Sequence, residues 1–153
     1  MPQNRLATTL VPALLCASLA APSLASDDSL QEAIDYRSGV MNVFGWNLGP
    51  MGAMLKDKIP YDQAAFARRA QDLASAAALD VLSGFPEDSV SEDSAAMSEI
   101  WLDWDDFAAK YEDLKQESAK LAEVAAGGDK AAIAAQFDTT RETCKACHKK
   151  YKE

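Results

Sequence analysis

Between residues 34 and 55 one set of positions recurs at alternating steps of three and four: Ile34, Arg37, Met41, Phe44, Leu48, Met51 and Leu55. All but Arg37 are apolar. A mean step of about 3.5 residues is the period of a helix that lays a narrow seam against its neighbours in a left-handed bundle. A strand, whose faces repeat every second residue, cannot present such a seam. The spacing returns at Phe66, Ala70, Leu73 and Ala77, and again at Ile100, Trp104, Phe107, Tyr111, Leu114, Ser118, Leu121 and Ala125. It returns a last time at Ile133, Phe137, Thr140, Cys144, Cys147 and Tyr151. Beyond residue 25 there are only 5 Val, 4 Ile and 3 Thr in an alanine-rich chain, which favours helix over strand. The expected fold is all-α, an antiparallel up-down four-helix bundle.

Breakers and caps set the boundaries. The first helix is predicted from about Ser29, where Ser29-x-x-Glu32 forms a capping box, to about Leu55. The second starts after Pro60, capped by Asp62, and ends before Gly84 and Pro86. An acidic, serine-rich loop covers 84–93. The third runs from about Ser98 to Ala126, stopped by Gly127-Gly128; the fourth is capped by Asp129 and runs to about Tyr151. Pro50 has no N–H to give the carbonyl of Trp46, so a kink is expected there.

The first 25 residues read as a removable secretory leader. Arg5 is the only charge before Asp27, an apolar run follows it, and Ser23-Leu24-Ala25 offers the small residues of a cleavage site. That run is too short and too early to span a membrane. Cys16 lies within it and is expected to be discarded. A periplasmic domain of residues 26–153 would remain, long enough for one core. The formal charge is −9, or −10 once Arg5 is removed. So acidic a protein is a poor partner for nucleic acid or anionic membranes.

Near the C-terminus stands Cys144-Lys145-Ala146-Cys147-His148. The pattern C-x-x-C-H reads as a covalent attachment site for one haem c. Two thiols add to two vinyl groups of one porphyrin, and the adjacent imidazole reaches the iron. On a helix, positions i, i+3 and i+4 share a face, so Cys144, Cys147 and His148 can address one ring. His148 is the only histidine, so it is the expected axial iron ligand. A dithiol redox centre would want a βαβ context, which the sequence lacks. A zinc site would need a fourth ligand. A structural disulfide is the remaining alternative. Extracytoplasmic haem attachment agrees with the leader. Both cysteines fall on the inward stripe of the fourth helix. Antiparallel packing then brings the first turns of the first helix over the ring.

The chain beyond the leader resembles the class II c-type cytochromes, the cytochrome c′ family. The likeness rests on Tyr36-Arg37 followed by Met41, Phe44 and Leu48, and on Met51-Gly52-Ala53-Met54-Leu55-Lys56. It rests further on Pro60-Tyr61-Asp62, Glu99-Ile100-Trp101, and the C-x-x-C-H followed by Tyr151-Lys152. The resemblance implies haem near the C-terminal end of the fourth helix. For Arg37, a cation on a core stripe, it implies a contact with a haem propionate; the alternative is a side chain snorkelling to water or to Asp35. For Met41 it implies a place at the sixth iron position. There the side chain is an unbonded apolar cover in cytochromes c′, or a sixth ligand in low-spin relatives; filling the core is the third reading. Lys145, Lys149, Lys150 and Lys152 cluster beside the expected haem edge. They either steer an acidic redox partner or complement the helix dipole. Lys152 also matches a basic position that the family keeps beside the proximal imidazole.

Two functions follow as expectations. One is electron transfer with redox partner proteins. The other is binding of NO or CO at a five-coordinate iron, with the low-spin His/Met electron carrier as its alternative. A homodimer is an assembly the family resemblance allows. Nothing beside the motif looks like an acid–base pair, so no enzymatic activity is expected.

Overall fold

The computed structural model describes residues 27–87, 89–91 and 94–153. The segment expected to be a leader, with Cys16, lies outside the described residues. Five helices follow in order: α1 Asp27–Leu55, α2 Gln63–Ala77, α3 Glu99–Leu102, α4 Trp104–Gly127 and α5 Lys130–Tyr151. A 3₁₀ turn, Val81–Gly84, lies between α2 and α3. α1 packs on α2, α2 on α4 and α4 on α5. The short α3 continues into α4 as one interrupted helix, so the architecture is the expected four-helix bundle. None of the described helices is long and apolar enough to cross a membrane.

The caps act as their residue types require. Asp62 accepts from the amide of Ala65, and Asp129 accepts from the amides of Ala131 and Ala132. Each thereby satisfies donors that a first helical turn leaves open. Gly128 ends α4 in the left-handed region at φ 79°, which glycine adopts without strain.

Three boundaries differ from the sequence expectation. α1 is already helical at Asp27, so Ser29 lies inside the helix and not at its N-cap. α2 stops at Ala77, and the chain turns through Val81–Gly84 before the loop. The buried Tyr111 of α4 donates its hydroxyl to the carbonyl of Ala77 at 2.9 Å, which satisfies the helix end from outside. The third helix breaks at Asp103, whose φ −136° and ψ 54° are not helical. The break is tied to α5: Lys150 Nζ donates to the Asp103 carboxylate at 2.6 Å, and the Tyr151 hydroxyl oxygen lies 3.3 Å from the Asp103 carbonyl oxygen. Trp104, which sits on the sequence stripe directly after the break, is 36% exposed, while Ile100 before it and Phe107 after it are buried.

The core otherwise follows the stripes. Ile34, Phe44 and Met51 of α1 are buried, as are Phe66, Ala70, Leu73 and Ala77 of α2. So are Phe107 to Ala125 at their seam positions in α4, and Ile133, Phe137 and Thr140 in α5. The seam of α1 is wider than one stripe, because Val40, Asn47 and Met54 are buried too. α1 meets α5 where Gly52 faces Phe137; a Cβ on Gly52 would lie 3.3 Å from the ring. Towards the start of α1 and the end of α5, the two helices are instead separated by a cleft.

Candidate functional site

The cleft holds about 460 Å³. α1 contributes Arg37, Ser38, Met41 and Asn42 to its wall, and α5 contributes Cys147, His148, Tyr151 and Lys152. Phe85, Ile100 and Phe107 form the apolar floor, and Ser94 to Ala96 close one side. The antiparallel path of α1 and α5 therefore brings Met41 and His148, 107 positions apart in the chain, to one cavity.

On α5 the motif residues sit where the helical period puts them. Cys144 and Cys147 are half-buried, pack against the core and are free thiols. Cys144 Sγ lies 3.8 Å from the carbonyl of Thr140, one turn back. Burial raises the pKa of both thiols, that of Cys147 to about 11, so they are held protonated. The imidazole of His148 is pushed below its ordinary value by burial and then by the charge of Lys152. Both effects favour its neutral form, the form that offers a lone pair to a metal. The last turn is anchored to α4: the Tyr151 hydroxyl donates to Asp106 Oδ2 at 2.6 Å, and Lys150 Nζ donates to the same oxygen at 3.0 Å. The Tyr151 ring stacks edge-on against Phe107 at 5.3 Å, and Phe107 against Phe85 at 4.9 Å.

Arg37 is 3% exposed. Asp35 is not its partner; that carboxylate accepts from Gln31 instead. The two terminal nitrogens of the guanidinium make four hydrogen bonds. Nη1 donates to the Gly84 carbonyl at 2.9 Å and to Ser89 Oγ at 2.6 Å; Nη2 donates to the Ser89 carbonyl at 2.6 Å and to Ser94 Oγ at 2.8 Å. The Phe85 ring lies under the guanidinium at 4.7 Å. Burial lowers the pKa of Arg37, but from so high a starting value that it keeps its charge. Sequence reasoning missed these acceptors, because the loop carries no periodicity. The available signal was a cation on a core stripe, which needs acceptors, beside a long connection rich in serine.

The lysines divide. Lys145 is paired with Glu142, and Lys150 with Asp103 and Asp106. Lys149 and Lys152 are exposed; Lys152 donates through Nζ to the main-chain oxygen of Glu153 at 3.1 Å and lines the cleft.

Two thiols and an imidazole on one helix face, opposite an apolar wall with one buried cation, fit a haem. Comparison with known proteins agrees. Residues 32–152 match the family model described as Cytochrome C′. The chain belongs to the cytochrome c′ family. A cytochrome c′ from Halomonas halodenitrificans is 38% identical over 124 residues, covering 77% of this chain and 93% of that one. Among solved structures, cytochrome c prime from Shewanella frigidimarina matches with TM-score 0.79 and 35% identity, over 84% of this chain and 99% of that chain. A mutant of the Alcaligenes xylosoxidans cytochrome c prime, solved as its nitric oxide complex, matches with TM-score 0.73 and 27% identity, over 81% and 96%. As a cytochrome c′ family member, the chain places its C-x-x-C-H at the end of the last helix and Met41 across the cleft from it.

Proposed function

We propose that this protein is a periplasmic haem c electron carrier whose distal face admits NO or CO. The observation that carries the reading is the shared cleft: Cys147 and His148 line one side, Met41 the other, and the floor is apolar. Cys144 and Cys147 would hold the haem by thioether bonds and His148 would be the axial ligand. The bound group supplies a one-electron redox centre with an iron site for a small ligand. No residue of the cleft is assigned a catalytic role.

The chain's own part is positioning and exclusion. α5 presents both thiols and the imidazole from one face. The pair Tyr151–Asp106 fixes the turn that carries His148. Arg37 keeps a positive charge in the wall, which favours the negative edge of a bound haem. Met41, Phe85, Ile100 and Phe107 give the cleft an apolar floor and distal side, so charged molecules lose hydration on entry and uncharged diatomic gases do not. The nitric oxide complex of the Alcaligenes xylosoxidans relative supports the gas-binding part of the reading. A cytochrome c′ of known structure whose dimer dissociation is described as ligand-controlled, 26% identical with TM-score 0.75, supports a homodimer. Lys149 and Lys152 offer a cationic rim to acidic redox partners.

A second reading rests on the same lining. Met41 is a thioether facing the cleft of His148, and a sixth ligand from it would make a low-spin electron carrier with a raised potential. Met41→Ala separates the two. A ligated protein is expected to change from low to high spin and to gain rapid CO binding. In the proposed unligated state the variant stays high spin and binds CO faster. A variant that matches the parent in spectrum and in CO kinetics would contradict both.

A further inference from the structure

Arg37 does more in this fold than supply a charge. Both of its terminal nitrogens are fully used by the connection between α2 and α3, on Gly84, Ser89 and Ser94. The contact is close as well as polar: a Cβ on Gly84 would stand 3.0 Å from Tyr36 Cδ1 and 3.1 Å from Arg37 Cβ. Just beyond Ser94 the same connection is fastened to the other wall of the cleft. Ala96 and Lys152 form an antiparallel bridge, Met97 donates its amide to the carbonyl of Tyr151 at 3.1 Å, and Glu153 donates to the carbonyl of Ala95 at 3.1 Å. Phe85, Ser94, Ala95 and Ala96 line the cleft themselves.

We propose that Arg37 is a positioning residue that holds Phe85 and Ser94–Ala96 as the side wall of the cleft, and through them ties α1 to the turn that follows His148. The proposal rests on the site reading above and deepens it. Lysine cannot replace the fork: an ammonium keeps the charge but cannot span four acceptors arranged for a planar guanidinium. A role through charge alone predicts that Arg37→Lys restores the parent; a positioning role predicts that it does not.

The test uses the full haem-loaded chain as parent, Arg37→Lys and Ser94→Ala. Hydrogen exchange is read at the Met97 and Glu153 amides, with the amides of Leu73 and Ile133 as reference. Arg37→Lys is expected to speed exchange at Met97 and Glu153 on the order of tenfold while the reference amides stay protected. Ser94→Ala gives a smaller change of the same kind. The association rate of tert-butyl isocyanide is expected to rise more than that of carbon monoxide in both variants, because the wall and not the iron has changed. Parental exchange at Met97 and Glu153 in Arg37→Lys would overturn the proposal, as would equal acceleration at the reference amides. If that variant does not fold, parental exchange and rates in Ser94→Ala overturn it. A protein without bound haem would sink the site reading instead, and the exchange measurement would still decide the role of Arg37.

Discussion

The guanidinium of Arg69 donates to the carbonyl oxygen of Trp46 at 3.0 Å. That oxygen is the acceptor an amide at position 50 would fill, and position 50 is proline. A side chain from α2 thus replaces the missing donor, and α1 runs through Pro50 to Leu55 as one helix. The same guanidinium lies over the Trp46 ring at 5.8 Å.

A coupled outcome follows. Arg69→Ala is expected to cost about 0.5–1.5 kcal/mol in denaturant unfolding, the net worth of one such hydrogen bond. In a Pro50→Ala background the residue at 50 can donate again, and the cost is expected to fall to less than half. Equal costs in the two backgrounds would show that Arg69 does not compensate for the proline.

The Tyr151–Asp106 contact makes an acid-sensitive anchor. Hydrogen bonds from Tyr151 and then Lys150 hold the Asp106 carboxyl at about 2, below its ordinary 3.8. A carboxylate with a depressed folded value contributes stability that is complete above its unfolded pKa and is lost as pH falls through the folded one. The window therefore runs from about pH 4 down to about pH 2. Urea midpoints across this range are expected to fall less steeply in Asp106→Asn than in the parent. Parallel curves would remove Asp106 from the acid response.

Much of this was legible in the sequence. The four stripes named most of the buried residues, because a helix that packs on one side repeats its burial every three or four residues. Asp62 and Asp129 announced their helices, since a carboxylate before an apolar run has few better uses than the first amides of a helix. The C-x-x-C-H was legible as a motif, and the antiparallel direction of the first and last helices put the first turns of α1 opposite it. What escaped was aperiodic. The break at Asp103 depends on Lys150 and Tyr151, more than forty positions away. The partners of Arg37 lie in a loop whose serines carry no period, and Ser89 is 1% exposed although it follows Glu87-Asp88. Arg69 and Pro50 look unrelated until α1 and α2 are packed together.

The two thiols carry a covalent claim. Protein made from the full 153-residue chain in cells that mature c-type cytochromes is expected to keep its colour with the polypeptide after acid acetone. Cys144→Ala or Cys147→Ala is expected to leave one thioether bond, and the double variant none, so that its haem passes into the solvent. Colour lost from the parent by the same treatment would contradict attachment through Cys144 and Cys147.

The absorption spectrum of the purified protein, ferric and ferrous, before and after carbon monoxide, tests the central claim most directly. A haem held by His148 beneath an unbonded Met41 predicts high-spin bands in both redox states and a prompt shift of the ferrous spectrum on adding the gas. Low-spin bands that carbon monoxide leaves unchanged would contradict the open distal site and place the sulfur of Met41 on the iron.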